Sequence, residues 1–287
     1  MDDIPRPFLK WAGGKSGLLG QFADLYPGQF RRYIEPFVGG GAVYFDVARR
    51  LAPSDVLLAD ENEELIGAYV AIRDDLDAMI DALETHRRKH SKTHYYEVRA
   101  ANPRSRVARA ARLVYLNKTC FNGLYRVNSK GRFNVPMGQY TNPKILDEPN
   151  LRAVAAALSG VDLRVAHFRE TLTHARKGDF VYFDPPYHPL SKTAKFTSYT
   201  DLDFGEADQQ ELAEVFATLA RRGCLVMLSN SDNAFVRALY GRFHVEQVFA
   251  RRSINSRGDR RGAIAEVVVR SWEPWQAEES RSRAATS

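Results

Sequence analysis

Asp184-Pro185-Pro186-Tyr187 places one carboxylate, two prolines and a phenol ring directly after the apolar run Phe180-Val181-Tyr182-Phe183. An exocyclic amine on a nucleobase is a poor nucleophile because its lone pair is delocalised into the ring. Two acceptors fixed on its N–H groups hold the nitrogen pyramidal and aim the lone pair at an electrophile. The Asp184 carboxylate and the Pro185 carbonyl, kept rigid by proline geometry, are such a pair, and Tyr187 is placed to stack on the base. A charge-assisted hydrogen bond contributes about 1.5 to 3 kcal/mol, and a base stacked on an aromatic ring about 1 to 3 kcal/mol. Both suit a base taken out of its helix. A plain Asp-Pro turn at a strand end would show the same four residues, so the neighbouring segments decide.

Two other glycine- or acid-bearing segments bear on ligand chemistry. Gly39-Gly40-Gly41 lies between an apolar strand and a helix, where glycines let a ligand approach the backbone and the helix N-terminus. Asp60 ends the next strand, at the offset where an acidic residue takes a ribose hydroxyl pair; a helix cap for Asn62 onward is the bland alternative. Gly14-Lys15-Ser16 has the ending of a phosphate loop, but Leu9 stands where that loop needs glycine and no buried strand precedes it. A dinucleotide fingerprint would want glycine at Tyr44, which disfavours a nicotinamide enzyme. Cys120 and Cys224 have no metal-ligand or redox spacing, and neither follows a proline in a reactive turn, which disfavours thiolate attack on cytosine C5. No metal is expected.

Composition sets wider bounds. The chain has 287 residues, 44% hydrophobic, enough for one large domain or a domain with a second inserted. No apolar run is long enough to span a bilayer, and Met1-Asp2-Asp3-Ile4-Pro5 is too acidic for a signal peptide. With two cysteines, this reads as a reducing, cytoplasmic setting. A net charge of +6 and a pI near 9.3 mildly favour a polyanionic partner.

The elements that must hold these residues follow from periodicity. Strands are expected at Tyr33 to Phe37, Val56 to Ala59, Val161 to Val165, Phe180 to Phe183, Leu225 to Leu228, Val245 to Phe249 and Ile264 to Val269, with helices at Ala42 to Leu51, Asp147 to Leu158 and Glu206 to Arg222. Ser229 to Asp232 reads as a loop. Between the second and third strands the sheet pattern stops. Helical periodicity replaces it at Leu65 to Ile72, Leu76 to His90, Tyr95 to Ala101 and Val107 to Leu116, with Arg87, Arg88, Lys89, Arg99, Arg104, Arg106, Arg109 and Arg112 forming either a solvated face or a surface that tracks phosphates. Asn128-Ser129-Lys130-Gly131 is a turn between Leu124 to Val127 and Arg132 to Val135, so a β-hairpin carrying Arg126, Lys130 and Arg132 is expected, a shape that enters a major groove. The long polar segment His188 to Phe204, with Lys192, Lys195, Phe196 and Tyr199, reads as a lid. Arg251, Arg252, Arg257, Arg260 and Arg261 crowd one loop as a backbone clamp.

Taken in order, Phe8-Leu9-Lys10-Trp11-Ala12-Gly13-Gly14-Lys15, Glu35-Pro36-Phe37-Val38-Gly39-Gly40-Gly41, Asn122-Gly123-Leu124-Tyr125-Arg126 and Asp184-Pro185-Pro186-Tyr187 resemble the DNA adenine methylase family, from about residue 6 to about residue 270. The resemblance implies a Rossmann-like α/β sheet dependent on S-adenosyl-L-methionine, with an inserted helical and β-hairpin recognition domain. It implies a methyl-donor site at Trp11, Lys15, Phe37, Gly39, Gly41, Asp60, Phe168 and Asp184, and catalysis by Asp184, Pro185 and Tyr187. Phe121 falls where the family intercalates an aromatic, with Asn122 beside it. Leu124 and Arg126 fall where guanines of GATC are read, and Pro136 near a thymine. With Lys130, Arg252, Arg257 and Arg260 these make the DNA-binding set. His167 departs from the pattern, since relatives often carry an acid there for the cofactor's adenine amine.

The expectation is therefore a catalytic domain at 1–62 and 146–275, a recognition domain at 63–145 and a disordered tail at 276–287. The chain should be a monomeric cytoplasmic enzyme methylating adenine N6 of double-stranded DNA at GATC by base flipping. Alternatives are N4-cytosine or RNA-adenine methylation, or a silent DNA-binding relative. The family serves both DNA replication and restriction-modification.

Overall fold

A computed structural model describes residues 4–188, 204–250 and 264–273. Its centre is a seven-stranded sheet in the order β3-β2-β1-β4-β5-β7-β6, with β1 Tyr33–Glu35, β2 Val56–Asp60, β3 Asp162–Val165, β4 Phe180–Phe183, β5 Leu225–Ser231, β6 His244–Ala250 and β7 Ile264–Arg270. The strands from β3 to β5 run parallel, and β7 enters antiparallel between β5 and β6. β1 has β2 on one side and β4 on the other, so the chain order reverses there. A crevice opens at such a switch point, beyond the carboxyl ends of the strands.

Strand alternation sorts the sheet into two buried faces. Tyr33, Phe180 and Tyr182 join one cluster with Phe22, Tyr44 and Leu58. Ile34, Val181 and Phe183 face the other way, against Leu212, Phe216 and Leu219 of a helix at Glu206–Arg221. All of β4 is buried, which is why it reads as an unbroken apolar run.

The helices, in chain order, are α1 Leu19–Phe22, α2 Ala42–Leu51, α3 Glu63–Asp74, α4 Leu76–Lys89, α5 Lys92–Ala100, α6 Arg106–Thr119, α7 Glu148–Ala157, α8 Thr171–His174, α9 Glu206–Arg221 and α10 Ala234–Tyr240. The insertion between β2 and β3 holds α3 to α7. Asn62, Ser91 and Ser105 cap α3, α5 and α6, each accepting a backbone N–H in the first turn, contributions of about 1 kcal/mol apiece. α3 packs on β2 and β3 as well as on α6, and Leu65, Ile66, Tyr69 and Ile72 belong to the sheet-side core. α5, the end of α6 and the following loop have their own core of Tyr95, Val98, Tyr115, Leu116, Cys120, Phe133, Val135 and Ile145.

Three expectations change. The first strand stops at Glu35, since Pro36 has no N–H to continue the ladder. Ser229, Asn230 and Ser231 are buried strand residues of β5, not a loop; their polar side chains are hydrogen-bonded inside the protein. The hairpin has the expected turn, with Asn128 N–H donating to the Arg132 carbonyl at 2.9 Å and Gly131 N–H to Asn128. Its arms are joined by one isolated bridge, Val127 with Phe133, and by Asn134 N–H donating to the Arg126 carbonyl at 3.1 Å, without a continuous ladder; a second bridge, Cys120 with Met137, lies beyond them. Short α1, α8 and α10 span too few turns for a 3.6-residue period to register.

Candidate active site

Asp184 leaves the carboxyl end of β4 at the switch point. Its Oδ1 accepts from Lys15 Nζ at 2.9 Å and from Ser229 Oγ at 2.8 Å. Ser229 in turn lies 2.8 Å from the Tyr182 hydroxyl, so the chain of donors runs into the core. No hydrogen bond among the described residues reaches Asp184 Oδ2. The carboxylate thus has one anchored oxygen and one oxygen available to an incoming N–H. Burial pushes the Asp184 carboxyl up, opposed by the charge and hydrogen bond of Lys15 and by Ser229.

Lys15, itself 4% exposed, sits with its ammonium 4.5 Å from the centre of the Tyr187 ring. The Tyr187 hydroxyl donates to Glu266 Oε2 at 2.6 Å. Lys15, expected among residues lining the methyl-donor site, is thus placed on the reactive tetrapeptide itself.

The glycine turn forms the neighbouring wall. Gly39 and Gly41 have φ of +47° and +74°, a region other residues rarely adopt. A Cβ on Gly41 would come within 2.6 Å of the Tyr69 hydroxyl, and one on Gly39 within 3.0 Å of the Trp11 ring. Asp60 fixes the turn: Oδ2 accepts from Gly39 N–H at 3.1 Å and Oδ1 from Asn62 N–H at 3.0 Å. Each oxygen keeps a second lone pair for a hydroxyl. Asn62, not Asp60, caps α3. Phe37 and Phe168 stack with centroids 5.6 Å apart, with Phe204 edge-on to Phe37. His167 lies 4.3 Å from the Phe168 ring, with Nδ1 accepting from Arg169 N–H and Nε2 3.6 Å from Glu61.

Glu35, at the end of β1, is a site residue that motif reading did not single out. It is 2% exposed and accepts from the Tyr33 hydroxyl at 2.8 Å. Burial pushes its carboxyl well up, and the Asp184 and Asp60 charges add to the rise. Glu35 lies within electrostatic reach of both Asp184 and Asp60, and an acidic wall of this kind suits a cationic ligand. A sulfonium-bearing methyl donor with a ribose diol and an aromatic base fits this set: carboxylates for the cation, Asp60 for the diol, Phe37 and Phe168 for the base.

The other side of the crevice is the insertion. Asn117, fully buried, accepts from Lys10 N–H at 2.8 Å and donates to the carbonyls of Lys10 and Gly123, tying the N-terminal motif to the recognition segment. Trp11 stacks on Tyr125 at 5.2 Å. Asn122 and Gly123 take left-handed φ of 56° and 65°, a kink that leaves Phe121 51% exposed beside Leu124 at 41%. Phe121 N–H donates to the Pro136 carbonyl at 2.9 Å. Arg126 Nε donates to Asn134 Oδ1 at 2.7 Å, and Lys130 is exposed on the turn.

Of the basic residues on the insertion helices, Arg112 is buried and donates to the Val98 and Arg99 carbonyls, so it belongs to no surface. Arg106 and Arg109 reach Asp75 and Glu63, and Arg99 reaches the Val135 carbonyl. Arg252, Arg257 and Arg260, the lid residues 189–203 and the tail 276–287 lie outside the described residues. Among the described residues no helix is long and apolar enough to cross a membrane.

Residues 11–254 match the family described as D12 class N6 adenine-specific DNA methyltransferase. The Type II methyltransferase M.MjaIII of Methanocaldococcus jannaschii is 44% identical over 283 residues, 92% of this chain and 98% of that one. The Type II methyltransferase M1.LlaDCHI of Lactococcus lactis subsp. cremoris is 41% identical over 272 residues, 92% of this chain and 94% of the relative. The DNA adenine methylase of Escherichia coli (strain K12) is 35% identical over 272 residues, with the same two coverages. The strand order, the carboxylate at the end of β4 and these matches agree: the chain belongs to the D12 class N6 adenine-specific DNA methyltransferases, enzymes that take their methyl group from S-adenosyl-L-methionine.

Proposed function

We propose that this enzyme methylates the adenine of GATC in double-stranded DNA after turning that base out of the helix. The observation that carries the chemistry is the divided Asp184 carboxylate, with Oδ1 held by Lys15 and Ser229 and Oδ2 without a hydrogen bond among the described residues. Tyr187 stacks on the extruded base while its amine donates to Asp184 Oδ2 and to the Pro185 carbonyl. Bound S-adenosyl-L-methionine supplies a methyl group already activated on sulfur. The chain contributes alignment, exclusion of water and the two acceptors. As the N–CH₃ bond forms and the methyl–sulfur bond breaks, its electron pair left on sulfur, the amine nitrogen becomes cationic and its surplus proton leaves through Asp184.

Support for GATC comes from the recognition segment. Phe121 and Leu124 project into solvent beside Arg126, whose paired donors match the guanine edge in a major groove. Lys130 on the turn, and Arg252, Arg257 and Arg260 in sequence, add phosphate contacts. We assign 1–62 and 146–275 to catalysis and 63–145 to recognition, with α3 serving both. The working form is a cytoplasmic monomer.

Sequencing for methylated adenine in DNA treated with the purified protein tests the whole reading. Methyl groups confined to GATC are expected. Methylation of adenine in other contexts at equal rates would remove the specificity and leave the transfer chemistry.

A further inference from the structure

Pro185 and Pro186 have no backbone N–H, so the catalytic loop cannot be held by a ladder of its own. Two of its backbone groups, the Pro186 carbonyl and the His188 N–H, are taken instead by two fully buried side-chain amides. Gln209 of α9 donates from Nε2 to the Pro186 carbonyl at 2.9 Å. Its Oε1 accepts from Asn230 Nδ2 at 2.9 Å. Asn230 Oδ1 then accepts from His188 N–H at 3.3 Å and from Ser231 N–H at 2.8 Å. The direction of this relay has one solution. A carbonyl at Pro186 demands an N–H from Gln209, and the backbone N–H groups at the other end demand an oxygen from Asn230.

The relay grips the backbone immediately before and immediately after Tyr187. The ring is also held at its far end by Glu266. We infer that Gln209 and Asn230 are positioning residues for the methyl transfer, setting the height and tilt of the Tyr187 ring and, through Pro186, the direction of the Pro185 carbonyl. The role rests on the reading in which Tyr187 stacks on an extruded adenine. Apolar side chains of similar volume could fill the same space but would leave the Pro186 carbonyl and His188 N–H without partners.

The test uses Gln209→Met, which keeps the volume and removes both hydrogen bonds, and Gln209→Glu, which keeps the shape and, when ionised, sets a carboxylate oxygen against the Pro186 carbonyl in place of the donor. A fluorescent adenine analogue at the target position must brighten when wild-type enzyme binds. If it does not, base flipping fails and the inference fails with it for that separate reason. With flipping established, each variant should slow single-turnover methylation by on the order of 10- to 100-fold through misplacement alone. Binding of S-adenosyl-L-methionine should be unchanged. Adding Tyr187→Ala to either variant should cost less than the sum of the two single losses, because the amides act in part through that ring. A lower melting temperature with a wild-type single-turnover rate, or fully additive losses in the double variant, overturns the inference and leaves the two amides as structural filling.

Discussion

Asp184 and Lys15 act on each other before any ligand arrives. Burial raises the Asp184 carboxyl and Lys15 is the largest opposing influence. The carboxylate must be ionised to accept the adenine amine, so the rate should rise with pH through its raised value and then level. Lys15→Met removes the opposing charge and should move that acid limb to higher pH; a single-turnover pH profile that stays in place would show that Lys15 does not govern Asp184. Asp184→Ala removes the acceptor itself and should slow transfer about 100-fold or more, with S-adenosyl-L-methionine affinity measured by calorimetry falling far less than the rate. At the DNA edge, Arg126→Ala should cost about 1 to 3 kcal/mol of discrimination at one base. Rates on GATC and on single-base variants would then converge; unchanged discrimination would move the readout to other residues. The types of these residues were legible in sequence, but their partners were not. Nothing in a linear motif places Lys15 against a residue 169 positions later, since only the fold of the N-terminal segment over β4 brings them to 2.9 Å.

At the scale of elements, the sheet was legible because β2 and β4 are buried on both faces, with apolar runs at Val56 to Ala59 and Phe180 to Phe183. β5 was legible only in its first half. Ser229, Asn230 and Ser231 look like a loop because polarity is the usual mark of solvent, whereas here it marks hydrogen bonds to the catalytic loop and its carboxylate. The recognition arms showed a turn without showing how they are held. That work falls to Asn117, Tyr95 and Arg99, the last two both donating to the Val135 carbonyl. Asn117→Ala strands the Lys10 N–H and two carbonyls, and should destabilise the protein by about 2 kcal/mol or more. Thermal unfolding measures the loss; an unchanged midpoint would mean that the N-terminal motif and the recognition segment are joined by other contacts.

Across the whole molecule, the acidic wall makes the pocket a source of instability. The unfolded chain titrates Glu35 near the ordinary value of about 4.3, whereas burial holds the folded carboxyl well above it. Between those values the unfolded state has released a proton that the folded state retains. Stability from this group is full in acid and falls as pH rises through the folded value. Glu35→Gln does not titrate, so the variant should gain in melting temperature over wild type as pH rises above about 4.3 and show no advantage below it. Parallel melting curves across that range would mean that Glu35 is already neutralised by other groups.

Trp11 lies on the seam between the two halves, covering Gly39 on one side and stacked on Tyr125 on the other. Optically, this makes it an internal reporter. The sequence holds three tryptophans, Trp11, Trp272 and Trp275. Trp272 packs edge-on against Phe180, away from the glycine turn. Of the two described tryptophans, Trp11 should therefore carry the ligand-dependent emission, and it should register loading of the glycine turn and engagement of the recognition segment as two separate changes in one signal, without an added dye.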